Sequence, residues 1–245
     1  MSDDVAIITG AGRGLGRAVA EQMAASGAKV ALFDRDPITL ADSESHIIAA
    51  GGTAASYAVD VSDWPSVSAA VERVHRDLGD PTVLVTAAAV DESVSIIDMP
   101  VESWRQVIDV NLSGTFYCLK ATVPTMRRNG YGRVVLFGSQ IALKGGVDIS
   151  HYGAAKGGVH ALARCAALEL ASAGVTVNVI APGPIETEML RSLPQEWLDN
   201  KKREMPVGRF GSVGEVVPAV VLLAARQSGF TTGSTVNVSG GDVMM

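Results

Sequence analysis

The chain has 245 residues, a formal net charge of −6, 47% hydrophobic residues and 19% charged residues. This composition predicts a globular protein with a substantial core, and the negative charge argues against binding to nucleic acid or a membrane surface. No apolar run approaches the ~20 residues of a transmembrane helix, and the acidic N-terminus lacks the features of a signal peptide. The two cysteines, Cys118 and Cys165, are predicted as buried reduced thiols, with no metal site. We therefore expect a cytoplasmic protein.

Short apolar runs alternate with helical patterns along the whole chain. Seven runs are predicted as strands, at residues 5–10, 29–34, 54–61, 83–89, 133–139, 175–182 and 234–240. Helices are predicted between them, at residues 15–26, from Pro37 onward, and at 65–78, 101–127 and 149–173. Nearly all-apolar strands separated by helices indicate a parallel sheet covered on both faces. We predict one α/β domain over residues 1–245, a doubly wound Rossmann fold with a seven-stranded parallel sheet.

A long segment at about residues 184–213 follows the sixth strand. Insertions after the carboxyl end of a strand lie beside the ligand crevice in this architecture. Its apolar residues, Met189, Leu190, Leu193, Trp197 and Met205, favour an amphipathic lid over the substrate. A plain surface helix packed on its own domain is the alternative.

A glycine-rich turn, TGAGRGLG at 9–16, joins the first strand to the first helix. Gly10, Gly14 and Gly16 allow a tight turn and a close approach of the backbone to a ligand, and the helix N-terminus favours a pyrophosphate. This placement predicts a dinucleotide site, to which Arg13 and Leu15 of the same turn also belong.

Asp34, at the end of the second strand, indicates which dinucleotide binds. Its carboxylate can accept hydrogen bonds from the ribose hydroxyls and would repel a 2′-phosphate, so NAD is predicted over NADP. Arg13 and Arg35 argue for NADP, because each could pair with a 2′-phosphate. Asp60 and Val61, at the end of the third strand, are predicted beside the adenine. Capping the helix after Ser62 is the alternative role of Asp60.

Tyr152 and Lys156 lie one helical turn apart in HYGAAK at 151–156. An ammonium close to the phenol favours the phenolate, which would bring the tyrosine toward a useful acid/base pKa. Ser139 ends the fifth strand, where its hydroxyl could hold a substrate oxygen, although serine there is often a turn former. Asn111 lies inside a predicted helix that it could distort while relaying protons through water; a polar kink is the alternative.

These motifs together resemble the short-chain dehydrogenase/reductase family, in particular its 3-oxoacyl-[acyl-carrier-protein] reductase-like subgroup. The resemblance covers essentially the whole chain and rests on TGAGRGLG, DV at 60–61, Asn111, Ser139, YGAAK at 152–156 and PGPIET at 182–187. It implies that Tyr152 exchanges the proton, that Lys156 lowers the Tyr152 pKa and binds the nicotinamide ribose, and that Ser139 orients the substrate.

The resemblance has further implications. Asn111 would hold a relay water, and the nicotinamide would be walled by Pro182, Gly183, Ile185 and Thr187. It also implies a homotetramer, with the helices at 101–127 and 149–173 as contact faces.

The chain departs from the family pattern at TAAA, residues 86–89, where the family usually has Asn-Asn-Ala-Gly or a similar sequence. Amide contacts are therefore not expected from Thr86 or Ala87, while backbone contacts to the cofactor around Ala88 are retained. Ala89 replaces a glycine and could require a different φ or shift the nicotinamide.

The residues favour an NAD(P)-dependent oxidoreductase that interconverts a secondary alcohol and a ketone. A 3-oxoacyl-[acyl-carrier-protein] reductase is the alternative, with Lys120, Arg127, Arg128 and Arg133 as a candidate landing patch for the carrier or as ordinary helix-end cations. A non-catalytic sensor is the remote alternative. Ile141, Leu143 and Val147 predict an apolar small-molecule pocket, and His151 is predicted to lie on the surface.

Overall fold

The computed structural model describes residues 1 and 4–244, apart from the side chain of Met189. Seven parallel strands form one sheet in the order β3-β2-β1-β4-β5-β6-β7. They are β1 (Val5–Thr9), β2 (Lys29–Asp34), β3 (Thr53–Ala58), β4 (Val83–Thr86), β5 (Gly132–Phe137), β6 (Val175–Pro182) and β7 (Thr235–Val238). The winding direction reverses between β1 and β4, which places the ligand crevice at their carboxyl ends. The predicted doubly wound parallel sheet is confirmed.

Helices cover both faces of this sheet. Their bounds are α1 (Gly14–Ala25), α2 (Pro37–Ala49), α3 (Trp64–Asp77), α4 (Val101–Ile108), α5 (Gly114–Asn129), α6 (Ile141–Lys144), α7 (Ser150–Leu170), α8 (Glu188–Arg191), α9 (Gln195–Glu204) and α10 (Val213–Ala224). Short 3₁₀ turns follow α7 and α10. Successive strand residues point to opposite faces, so Ile7 and Ile8 are both fully buried but in two separate cores.

The helix predicted over 101–127 is interrupted. A π-helical turn, Asp109–Ser113, separates α4 from α5 and has the fully buried Asn111 at its centre. A π turn inserts one extra residue and often marks a functional site. The distortion expected at Asn111 is therefore present.

The two cysteines differ in environment. Cys118 on α5 is buried as predicted, and burial raises the pKa of its thiol to about 12. Cys165 on α7 is exposed, so its predicted burial is wrong. It lies on the outward face of a long helix whose inward face, including Ala163 and Ala167, packs on the sheet. Among the described residues, no helix is long and apolar enough to span a membrane.

The segment after β6 folds back onto the C-terminal end of the chain. Leu190 and Met205 are buried in it, whereas Trp197 is partly exposed, and the Met189 side chain lies outside the described residues. The Lys201 ammonium of α9 contacts the Asp242 carboxylate at 2.7 Å. Asp242 also accepts hydrogen bonds from Lys144 at 2.8 Å and Gln140 at 2.5 Å, so α9, α6 and the tail share one carboxylate.

Candidate active site

The carboxyl edge of the sheet brings the predicted site residues to one crevice. Loops after β1, β2, β3 and β4 line one part of it, and loops after β5 and β6 line the other. The cofactor-site candidates at or after the ends of these strands are Gly10, Arg13, Gly14, Leu15, Gly16, Asp34, Asp60, Val61, Ala88, Pro182, Gly183, Ile185 and Thr187. Ser139 follows β5, and Tyr152 and Lys156 project from α7.

The glycine turn has the geometry that a dinucleotide pyrophosphate requires. Gly10 has φ 67°, and a Cβ there would lie 2.9 Å from the Cα of Ala88, so only glycine fits. A Cβ on Gly16 would collide with the Gly10 carbonyl. The N-cap residue of α1, Arg13, makes no side-chain cap, and the first turn of α1 carries no acidic residue. The free N–H groups of this turn fit an anionic phosphate.

Asp34 lies at the end of β2 and is held by the glycine turn. Its Oδ2 accepts a hydrogen bond from the Gly12 amide at 3.1 Å, and its Oδ1 accepts one from the Asp36 amide at 3.3 Å. Arg13 forms an exposed ion pair with Glu188 at 2.9 Å, across the crevice from the glycine turn to α8. One of the two arginines that favoured NADP is thus paired with a carboxylate.

Asp60 lies two residues beyond β3 rather than at its end. Its Oδ1 accepts hydrogen bonds from the amide and hydroxyl of Ser62, at 2.9 Å and 2.6 Å. The N-cap of α3 is Asp63, which accepts from the Ser66 amide at 3.0 Å. The alternative helix-capping role considered for Asp60 therefore belongs to Asp63. Val61 is buried against Gly114, where a Cβ would lie 2.9 Å from the valine side chain.

Tyr152 and Ser139 meet in the crevice. Burial of the phenol and the charge of Asp91 raise the Tyr152 pKa, and the Ser139 hydroxyl lowers it by a smaller amount. The net effect is a Tyr152 pKa above its usual value. We expected Lys156 to lower this pKa, but the groups that act on the phenol are Asp91 and Ser139, and burial of the phenolate dominates. Ser139 also accepts a hydrogen bond from the Ile141 amide at 3.1 Å.

Lys156 is buried beneath the tyrosine. Its Nζ lies 5.6 Å from the centre of the Tyr152 ring and donates a hydrogen bond to the Phe137 carbonyl at 2.8 Å. Burial lowers the pKa of Lys156 to about 8, against an opposing effect of Asp91. The ammonium is therefore fixed in position, but it has lost the water that would hydrate it.

Asn111 binds the backbone of the loop after β4. Its Oδ1 accepts a hydrogen bond from the Val90 amide at 2.9 Å, and its Nδ2 donates one to the Val90 carbonyl at 2.8 Å. The Asn111 carbonyl accepts a hydrogen bond from the Thr115 hydroxyl at 2.9 Å. The side chain thus fixes the loop that carries the TAAA sequence, which the sequence pattern did not indicate.

The TAAA segment keeps ordinary backbone geometry. Among the described residues, Asp148 is the only non-glycine residue with positive φ, so Ala89 occupies its position without a left-handed conformation. The Ala88 amide donates a hydrogen bond to the Thr9 hydroxyl at 3.0 Å, which ties the segment to β1. The Thr86 hydroxyl is buried and has no partner within the described chain. Alanine at position 89 therefore needs no strained φ.

The PGPIET segment forms the opposite wall. Pro182 ends β6, and its carbonyl accepts a hydrogen bond from the Gln140 amide at 3.2 Å, directly after Ser139. The Gly183 amide donates to the Val238 carbonyl at 2.9 Å. Ile185 is buried, and Thr187 is the N-cap residue of α8. This wall therefore lies next to the turn that carries Ser139.

Two predictions about individual side chains are wrong. His151 is completely buried rather than on the surface, because α4 and α6 pack over the first turns of α7. Its Nδ1 accepts a hydrogen bond from the Tyr152 amide at 2.9 Å. Arg133 is not part of an exposed basic patch: it is buried and donates to backbone carbonyls, including that of Gly174 at 3.3 Å. It packs where β5 begins, under the 3₁₀ turn after α10.

Two carboxylates of the site were missed. Asp91 follows the TAAA segment, and its charge acts on Tyr152 and Lys156. Asp242 joins α6 and α9 close to Ser139. An acidic residue just after a strand's carboxyl end is a sequence signal that could have indicated Asp91.

Comparison with known proteins agrees with this geometry. A profile of the family described as enoyl-(acyl carrier protein) reductase matches residues 10–242. The chain is 38% identical over 237 residues to 2-dehydro-3-deoxy-L-rhamnonate dehydrogenase (NAD(+)) of Sphingomonas sp. (strain SKA58), covering 96% of this chain and 94% of the relative. It is 35% identical over 245 residues to 3-oxoacyl-[acyl-carrier-protein] reductase FabG of Escherichia coli (strain K12), covering 98% of both chains.

A solved structure shares the whole fold. A putative gluconate dehydrogenase from Agrobacterium tumefaciens superposes with a TM-score of 0.95 at 31% identity, over 100% of both chains. The motifs, the parallel sheet and these relatives all indicate the same family. The chain belongs to the short-chain dehydrogenase/reductase family and is an NAD(P)-dependent oxidoreductase that interconverts alcohol and carbonyl groups.

Proposed function

We propose that Tyr152 is the general acid/base of this oxidoreductase, with Ser139, Lys156 and Asn111 completing the catalytic set. The observation that carries the proposal is the position of Tyr152 beside Ser139, with the buried Lys156 ammonium 5.6 Å from the centre of the Tyr152 ring. In alcohol oxidation Tyr152 takes the proton of the substrate hydroxyl, and in ketone reduction it returns that proton to the carbonyl oxygen.

The other three residues prepare this proton transfer. Ser139 donates a hydrogen bond to the substrate oxygen, since its own oxygen already accepts from the Ile141 amide. The bond from Lys156 to the Phe137 carbonyl fixes the position from which its ammonium would bind the nicotinamide ribose. Asn111 holds the loop after β4 in place through Val90.

We propose NAD as the preferred cofactor, bound along the carboxyl edge with its pyrophosphate on the glycine turn. When bound, the nicotinamide exchanges a hydride with the substrate carbon. Asp34 supports NAD, because a carboxylate at the end of β2 repels a 2′-phosphate. The NAD(+) specificity in the name of the Sphingomonas relative supports the same choice. Asp60 and Val61 would hold the adenine, and Ala88 with the wall from Pro182 to Thr187 would hold the nicotinamide.

In this proposal, the segment after β6 covers the substrate. Residues 184–213 act as a lid on a single domain, held to the rest of the site by the contact between Lys201 and Asp242 and by that between Arg13 and Glu188. The cluster around Asp242 also involves Gln140, the residue after Ser139. Lid position and substrate orientation are therefore coupled.

A panel of secondary alcohols and ketones with NAD(H) and NADP(H) tests the function. We expect Tyr152→Phe to lower kcat by at least about 10²-fold, because general acid/base catalysis of this kind contributes ~10²–10⁴-fold. The fold of the variant is checked by its circular dichroism and its cofactor dissociation constant. A variant that binds cofactor normally and keeps full activity would refute the role of Tyr152.

A 3-oxoacyl-[acyl-carrier-protein] reductase is the second candidate. The match to FabG over 98% of both chains favours it. Three of the four candidate carrier contacts are exposed, namely Lys120, Arg127 and Arg128. The fourth, Arg133, is buried and is no longer a candidate. Reduction of a 3-oxoacyl carrier with a kcat/KM far above that of simple ketones would favour this candidate, and equal or lower values would favour the small-molecule function.

We also propose a homotetramer in the cytoplasm. Exposed apolar side chains on the long helices support self-association, namely Trp104 on α4, Phe116 on α5 and Leu168 on α7. Light scattering coupled to gel filtration gives the mass, and a monomer at micromolar concentration would contradict the tetramer.

A further inference from the structure

His160 is a buried histidine that the proposed mechanism does not use. It continues a four-residue repeat along α7, formed by Tyr152, Lys156 and His160, and side chains four residues apart lie on one face of a helix. His160 is only 4% exposed. The first two side chains of the repeat belong to the proposed acid/base site, and the third contacts the strand end that leads into Ser139.

The Nε2–Cδ2 edge of the His160 ring packs against the backbone of Gly138. A Cβ on Gly138 would collide with the His160 Nε2 and lie 2.7 Å from its Cδ2, so the ring fills the space that a side chain at position 138 would need. On its other side, the Gly138 amide donates a hydrogen bond to the Ile180 carbonyl of β6 at 2.8 Å. Gly138 is therefore held between β6 and His160.

Hydrogen bonds do not account for this close contact. Among the described residues, the His160 Nε2 has no hydrogen-bond partner, and its Nδ1 lies 3.5 Å from the Thr235 hydroxyl, which is long for a hydrogen bond. Burial lowers the pKa of His160, and the charges of Arg164 and Lys156 lower it further, so the ring is neutral at pH 7. What the ring provides at this position is its shape.

The contact bears directly on Ser139, because Gly138 immediately precedes it in the chain. The same strand end is tied to α7 a second time, since Lys156 donates a hydrogen bond at 2.8 Å to the carbonyl of the residue before Gly138. A change in the separation of His160 and Gly138 would therefore move the Ser139 hydroxyl relative to α7, the helix that carries Tyr152.

We propose that His160 is a positioning residue for Ser139. Its ring is a spacer that sets the distance between α7 and the end of β5, so that the substrate oxygen fits between the Tyr152 and Ser139 hydroxyls. This inference rests on the roles proposed above for those two hydroxyls. Misplacing a reacting group by about 1 Å can lower a rate by ~10²-fold, so the length of the spacer matters for catalysis.

Two amide substitutions separate a spacer from a hydrogen-bonding residue. In His160→Gln the amide reaches the position of Nε2 and keeps the contact with Gly138. In His160→Asn the shorter amide reaches only the position of Nδ1, which faces Thr235. With the alcohol panel, we expect kcat/KM to fall at least about tenfold in His160→Asn and to stay within about threefold of the wild type in His160→Gln. The calorimetric dissociation constant of NAD should stay within about twofold in both variants.

A double-mutant cycle tests whether His160 acts through Ser139. We expect Ser139→Ala alone to lower kcat/KM by about 10²-fold. Adding His160→Asn to Ser139→Ala should change kcat/KM by less than about threefold, because the hydroxyl that the ring positions is already absent. Leu170→Ala is the packing control, since it removes a buried side chain at the far end of α7. It should lower the Tm and leave kcat/KM within about twofold of the wild type.

Full activity of His160→Asn, an equal loss in His160→Gln, or losses that multiply in the double variant would overturn this inference and leave the oxidoreductase function intact. Full activity of Ser139→Ala would overturn the proposed role of Ser139, and the positioning role of His160 with it.

Discussion

Replacing Lys156 by methionine is expected to stabilise the protein while inactivating it. The ammonium of Lys156 is 2% exposed, and burial lowers its pKa from 10.5 to about 8. Each pKa unit corresponds to about 1.4 kcal/mol, so holding the charged form in the folded protein costs on the order of 3 kcal/mol at pH 7. Methionine fills a similar volume without a charge.

Part of this gain is lost because the Phe137 carbonyl gives up the hydrogen bond it accepts at 2.8 Å. An unsatisfied carbonyl costs about 1–2 kcal/mol, which leaves a net stabilisation of roughly 1–2 kcal/mol. For a chain of this size, that difference raises the Tm by roughly 2–8 °C. Activity should fall at least about 10²-fold, because the cation beneath the Tyr152 ring is gone from the proposed acid/base site.

The pH dependence gives the sharper test. The folded-state pKa is lowered, so between about pH 8 and 10.5 the unfolded wild type binds more protons than the folded one, and wild-type stability rises with pH. The advantage of Lys156→Met is therefore complete below about pH 8 and disappears as the pH approaches 10.5. Chemical denaturation at several pH values, at one protein concentration, measures this difference.

Lys201→Met is the matched control, for which the opposite change in stability is expected. Burial lowers the Lys201 pKa, but hydrogen bonding with Asp242 and its neighbours raises it more, so the net shift is upward. Removing this ammonium should destabilise the protein by about 1 kcal/mol at pH 7. A Lys156→Met protein less stable than the wild type at pH 7, or a stability difference that stays flat to pH 10, would refute the reasoning.

Two further substitutions test the cofactor and lid proposals. Asp34→Ser should raise the NADP-to-NAD ratio of kcat/KM by at least about thirtyfold, because the repelling charge is removed and the hydroxyl can still accept from Gly12; an unchanged ratio in steady-state kinetics would contradict the assignment. Asp242→Asn should lower the free energy of unfolding by about 1–3 kcal/mol and raise KM, because Lys144 and Lys201 lose their shared anion. Hydrogen bonds from these groups outweigh burial and lower the Asp242 pKa. The greater stability of the wild type over Asp242→Asn should therefore vanish as the pH falls through that pKa. A stability difference that persists at acid pH would count against the role of the Asp242 carboxylate.

The strands could be predicted from the sequence because a parallel sheet covered on both faces needs continuous apolar runs. The sixth strand occupies residues Val175–Pro182, as predicted. The predicted third and fourth strands were three residues too long at their carboxyl ends, since they end at Ala58 and Thr86. The residues that follow β3, such as Val59, remain buried after the ladder ends, so hydrophobicity continues where strand geometry stops.

The positions of most motif residues could also be predicted, because they lie at or just after the carboxyl end of a strand, and Tyr152 and Lys156 lie on the helix that follows β5. What the sequence pattern did not reveal depends on contacts between distant elements. The burial of His151 depends on α4 and α6 covering α7, and Asp91 is positioned by Asn111, which holds Val90 from 21 residues away. The burial of Arg133 depends on the turn after α10, which covers the start of β5.

Asp91 influences the proton chemistry of the site from outside the predicted set of residues. Its negative charge opposes ionisation of Tyr152 and supports protonation of Lys156, so neutralising it lowers both pKa values together.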